Sequence, residues 1–126
     1  MINKKYLKLI RSYQRYDKNN FIYEIISKRI IDSLDLLNID ANQVLEIGIN
    51  DNLIYDYLNK KFLNSKIDRS DVCPTKFIDD KDDLNFIEIN IDNLNFKNNF
   101  YDIIYSNSFL HLTNNFEFTL ESILSA

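Results

Sequence analysis

QVLEIGINDN, residues 43–52, is the stretch on which the fold turns. Val44, Leu45 and Ile47 are apolar without strict alternation, which suits a strand covered on both faces, as in a parallel sheet. The run stops at Gly48, the only glycine of the chain, where a tight turn can begin. Leu53 to Phe62 follows with Leu53, Ile54, Tyr57, Leu58, Lys61 and Phe62 on one helical side. Working outward, Lys66 to Ser70 reads as a second strand ending in Asp71. Leu84 to Ile89 reads as a third, and Tyr101 to Ser106 as a fourth. Upstream, Ile22, Ile25, Ile26, Arg29, Ile30, Leu34 and Leu37 give a helical period over Asn20 to Leu37. Asn19 or Asn20 is placed to cap its start and Asn38 its end. A last helix starts near Phe116. Strands alternating with helices imply an α/β protein with a parallel sheet. No repeat or linker divides residues 20–126, and residues 1–19 form a basic helical extension.

In that extension Lys4, Lys8, Arg11 and Arg15 fall on one stripe, with Leu7, Ile10 and Gln14 on another. A solvated face is the expectation for such a stripe, and a docking face for an acidic partner or substrate is the sharper alternative. The chain has 126 residues, a net charge of −4, 45% hydrophobic and 27% charged residues, which describes one globular domain. The acidic balance argues against nucleic-acid binding. No apolar run reaches the roughly 20 residues that cross a bilayer, and the basic start lacks a secretory apolar core. A single cysteine, Cys73, excludes an internal disulfide and fits a reducing compartment, so cytoplasm is expected. The heavy use of Ile, Asn, Lys and Asp suggests a genome rich in A and T.

Ligands of such sheets bind at the carboxyl ends of the strands. Four polar tips lie there: Gly48 to Asn52, Asp71 to Pro74, Asn90 to Asp92, and Ser106 to His111. Gly48 supplies a turn, while Asn50 and Asn52 stand where a Gly-x-Gly-x-Gly loop has its further glycines. Asn tolerates positive φ better than other side chains, but its amide intrudes where a ligand comes closest. Asp71, 23 residues after Gly48, is near the roughly 20 expected for an acid that accepts from a ribose diol; a turn or cap role is its plainer reading.

The stretch INIDNLNFKNNFYDIIYSNSFLHL, residues 89–112, taken with VLEIG and Asp71, resembles the class I S-adenosylmethionine (SAM)-dependent methyltransferases. It is most similar to the branch holding the biotin-pathway malonyl-carrier-protein O-methyltransferase and a related complex I assembly factor. The similarity covers about residues 20–125. It implies a truncated Rossmann-like fold, with a parallel sheet in the order 3-2-1-4, flanking helices and no strands 5–7. It also implies SAM as cofactor. Glu46 resembles the first-motif acid and Gly48 its first glycine. Asn50 and Asn52 complete that loop, and Asp71 resembles the ribose acid. Asn90, with Ile91 beside it, takes the place of the acid that meets the adenine amino group. Ser106, Asn107 and His111 line the methyl-transfer side. Two loop glycines and the adenine acid are thus Asn, the usual Pro is Asn95, and the final Trp is Leu112.

No residue stands out as catalytic, and His111, without Cys or His neighbours, is no metal ligand; an acid/base role and a packing or capping role are its alternatives. Cys73 reads as a small buried apolar residue, and Asp79 to Asp83 as a solvated turn before the third strand, with a cation site as the rarer reading. The fourth strand would leave an apolar edge, Tyr101–Ser106, open to a protein partner or a self-dimer. Three functions follow: a degenerate SAM-dependent methyltransferase, a non-enzymatic remnant or binding and assembly module, and, least supported, a nicotinamide-binding module.

Overall fold

A computed structural model describes residues 3–12, 20–74 and 86–126. In chain order they form α1 (Lys4–Ser12), α2 (Asn20–Asp35), β1 (Gln43–Ile47), α3 (Leu53–Lys61), β2 (Lys66–Asp71), β3 (Phe86–Glu88), β4 (Ile103–Tyr105), a 3₁₀ turn (Leu110–Leu112) and α4 (Phe116–Ser125). The four strands make one parallel sheet in the order β3-β2-β1-β4. Leu45 stands beside Asp68 of β2 and Ile104 of β4, so β1 is central and β3 and β4 are the edges. The chain is therefore an α/β protein, as its strand and helix alternation implies.

Side-chain alternation along β1 builds two cores. Leu45 and Ile47 join Leu7, Val72, Ile89, Ile91, Leu94 and Phe109 on one face. Val44 joins Ala41, Ile54, Leu58, Ile67, Ile103 and Tyr105 on the other, under α2 and α3. Leu7 belongs to the first core, so α1 is packed into the body and does not stand off it as an extension.

Helix α2 is rotated from the face that its apolar period suggests. Ile22, Ile25 and Leu37 are about half exposed, and the fully buried residue is Ser27. The reason is polar. The Ser27 hydroxyl donates to Asp51 Oδ2 at 2.9 Å and accepts from Asn107 Nδ2 at 2.8 Å, so this face of α2 looks onto the strand ends. Helix α3 starts where Asp51 Oδ1 takes the Leu53 N–H at 3.0 Å, and α4 where Asn115 Oδ1 takes the Phe118 N–H at 3.2 Å. Asn38 does not have the left-handed conformation of a helix-ending cap; among the described residues only Gly48, Asn99 and Ser108 have positive φ. Asn19, Arg15, Gln14 and Asp79 to Asp83 lie outside the described residues.

The start of β1 is tied to β4 by Asp102, whose Oδ2 accepts from the Asn42 and Gln43 N–H groups at 2.9 and 3.0 Å. Those two bonds hold the exposed carboxyl below its ordinary value. Burial pushes Asp92 up, but bonds from the Asn114 N–H, the Thr113 hydroxyl and the Asn114 amide outweigh it and the net shift is also downward. A depressed native pKa means that the unfolded chain takes up protons first. These carboxylates therefore stabilise the fold above the unfolded value of about 4, and that contribution is lost as pH falls through the native values. Thermal unfolding followed from neutrality down to about pH 3 should show a falling midpoint, and Asp102→Asn should flatten part of the decline.

Candidate functional site

The carboxyl ends of β1, β2 and β4 converge on a cleft that the chain fills with its own side chains. Gly48 leaves β1 with φ +84, a conformation that favours glycine. Phe109 packs directly against it: a Cβ added at Gly48 would lie 2.4 Å from the Phe109 Cβ and Cγ. The approach to the backbone that glycine opens is thus closed by a phenyl ring.

Asp71, at the end of β2, is fully buried. Its Oδ1 accepts from the Val72 N–H at 2.7 Å and from Arg11 Nε at 3.1 Å. Its Oδ2 accepts from the Ile49 N–H at 2.8 Å and from Arg11 Nη2 in a short ion pair. Four donors saturate a carboxylate. Arg11 is itself only 2% exposed, reaches Asn50 Oδ1 at 2.8 Å through Nη1, and lies 4.8 Å from the centre of the Phe109 ring. The solvated stripe expected of Lys4, Lys8, Arg11 and Arg15 is thereby corrected at Arg11. This guanidinium turns inward because a buried carboxylate and an amide oxygen there lack another partner of matching charge.

Glu46 and Asn52 are drawn together by a second arginine. Arg69 stands beside Glu46 in the register of β1 and β2, donating from Nε to Glu46 Oε1 at 2.7 Å and from Nη1 to Asn52 Oδ1 at 2.8 Å. The Tyr105 hydroxyl donates to Glu46 Oε2 at 2.6 Å, and the Tyr55 ring lies 4.2 Å from the Arg69 guanidinium carbon. Burial raises the Glu46 carboxyl, against the lowering by Arg69 and Tyr105, and burial beside Glu46 raises the Tyr105 hydroxyl well above its usual value. Asn52 has φ −107, so its place in the loop asks for no glycine-like backbone.

Asn50 is buried and donates from Nδ2 to the Asn107 carbonyl at 2.5 Å. Asn107 donates from Nδ2 to the Tyr23 carbonyl at 2.9 Å and to Ser27, which fastens α2 to the end of β4. Ser106 gives its hydroxyl proton to the Ile47 carbonyl at 2.7 Å. Asn90 and Ile91 lie apart from these residues, beyond β3, where Asn90 is exposed and Ile91 buried. His111 is exposed on the 3₁₀ turn, which sets aside a buried packing role. Cys73 is half-buried, and burial, followed by the charge of Asp71, raises its thiol. No group of three His, Cys, Asp or Glu side chains suited to a metal occurs among the described residues.

Arg69, Phe109 and Ser27 organise the site without having been singled out in the sequence, and Arg11 stands there only as one residue of a basic stripe. Two of the four left a signal. Arg11 lies one turn after Leu7, the α1 residue that enters the core, and Arg69 interrupts a buried strand at the level of Glu46. Compared with known protein families, curated proteins and solved structures, the chain matches none.

Two substitutions test this packing. Arg11→Ala leaves a buried carboxylate without its counter-charge, and chemical denaturation should register a loss of about 3–5 kcal/mol. Gly48→Ala puts a methyl into the Phe109 ring at positive φ, and should cost at least about 1–3 kcal/mol on the same assay.

Proposed function

We propose that this chain is a Rossmann-like, SAM-methyltransferase-like module that works without the cofactor, as a non-enzymatic binding or assembly protein. The observation that carries the reading is the Arg11–Asp71 pair. The carboxylate that would accept a ribose diol has its acceptor positions taken by Arg11 and by the Ile49 and Val72 N–H groups. A nucleoside entering there must displace a buried guanidinium with neutral hydroxyls. At about 3–5 kcal/mol, that displacement lowers affinity by roughly two to three and a half decades. Phe109 packs against Gly48, and Asn50 is buried beside the loop. Cytoplasmic placement goes with this reading, on the lone Cys73; no helix among the described residues is long and apolar enough to cross a membrane.

The second reading, a degenerate SAM-dependent methyltransferase that still binds its cofactor, is favoured by the strand order and by Gly48 and Asp71 at adjacent strand ends. Isothermal titration with SAM and its demethylated product separates the two. The expected result is no binding at millimolar ligand by the folded chain. Micromolar binding that disappears in Asp71→Asn would establish the cofactor reading instead.

The assembly role uses the β4 edge. β4 ends the sheet, and a groove of about 320 Å³ runs beside it between Ile30, Leu34, Ile103 and Ile104. A second copy pairing edge to edge would satisfy the open strand. Sedimentation should then give a dimer mass that Ile104→Lys reduces to a monomer; a wild-type monomer would leave the edge to a different protein.

A further inference from the structure

Helix α4 carries an exposed apolar row. Phe116, Leu120 and Leu124 stand four residues apart, so they share one side of the helix, and they are 54, 39 and 76% exposed. The neighbouring row is the one turned inward: Thr119 is buried, and Ile123 packs on the first core. Glu117 and Glu121 lie beyond the apolar row, on the outward side.

The direction of α4 fixes where the apolar row points. The Thr119 hydroxyl donates to the Ile91 carbonyl at 3.1 Å, beyond β3. The Ser125 and Ala126 carbonyls accept from the Asn99, Phe100 and Tyr101 N–H groups, just before β4. The helix therefore runs from the carboxyl ends of the strands back to their amino ends. In a sheet with right-handed crossovers, a right-handed helix running this way on this face turns the row after its buried row toward the open side of β4. On the opposite face, Ile26, Ile30 and Leu34 of α2 line the groove beside Ile103. The edge strand is bracketed by two apolar helix rows.

The α4 row is symmetric about its middle. Phe116 and Leu124 are equally spaced from Leu120, so an antiparallel copy of the helix meets it with Leu120 on Leu120 and Phe116 on Leu124. Two β4 edges pair antiparallel about a two-fold axis normal to the sheet, and that axis puts both α4 helices on one face, also antiparallel. A three-residue strand edge falls short of the roughly 800 Å² per partner of a stable interface, and the helix rows add apolar area on both faces. We propose that a second copy of the chain is held chiefly by α4, with Leu120 of each protomer at the two-fold axis. The inference rests on the assembly reading and names the contact that carries it.

The test is sedimentation of the intact chain, joined to cross-linking in a Cys73→Ala background. The double variant Leu120→Glu/Leu124→Glu should weaken the dimer by at least about tenfold with an unchanged circular dichroism spectrum, since both leucines are exposed. Leu120→Cys should oxidise to a linked dimer, and Phe118→Cys, on the opposite flank of α4, should not. A dimer that Ile104→Lys dissolves and the double variant leaves intact overturns this inference while edge pairing stands. Cross-linking no faster at position 120 than at position 118 has the same meaning. A wild-type monomer overturns both.

Discussion

A guanidinium and a carboxylate removed from water lose more hydration than their mutual attraction returns, unless every remaining donor and acceptor is met. Arg11 and Asp71 satisfy that condition. The carboxylate takes two backbone N–H groups besides Arg11, and Arg11 spends its other donors on Asn50 and the Ile49 carbonyl. The pair therefore depends on the Gly48 turn, which delivers Ile49 and Asn50, and the turn in turn depends on Phe109 filling the space over it. The place of α1, the burial of Leu7 and the shape of the space beneath the helix all follow from where this one guanidinium must go.

The second buried pair has a different office. Arg69 and Glu46 sit on neighbouring strands at the same level, and Tyr105 on β4 completes the row across the sheet. Arg69 then continues outward to Asn52 and the Asp51 carbonyl, at the start of α3. One pair closes the cleft by bringing in a distant helix, and the other aligns three strands with the helix that follows the first. Asp71 has its four acceptor positions taken, and each oxygen of buried Glu46 is bonded, one by Arg69 and one by Tyr105.

The framework of this fold was legible because backbone regularity leaves a periodic trace. β1 falls at Gln43–Ile47 as the apolar run and its terminal glycine suggest, and α3 follows directly from Leu53. β4 is shorter than YDIIYS, since Asp102 turns its carboxylate to the backbone of Asn42 and Gln43 before the ladder begins. The interior of the site was less legible. Ser27 faces inward among isoleucines because of two hydrogen bonds to residues far along the chain, and no period records such partners. Asn50 and Asn52 were readable as departures from glycine, but each is defined by an arginine on a different element. Position along the chain does not encode a charge partner until the sheet has set the neighbours.

The parallel sheet also imposes an order of assembly. Parallel strands cannot be joined by a tight turn, so each pairing waits for the closure of a crossover. β1 pairs with β2 and β2 with β3 across single crossovers, whereas β4 reaches β1 only after β2 and β3 have been passed, and α1 meets β2 through Arg11 and Asp71, which are also distant in sequence. β4 and α1 are held by the contacts most distant in sequence, and their amides should be the first to exchange with solvent when the native state opens locally.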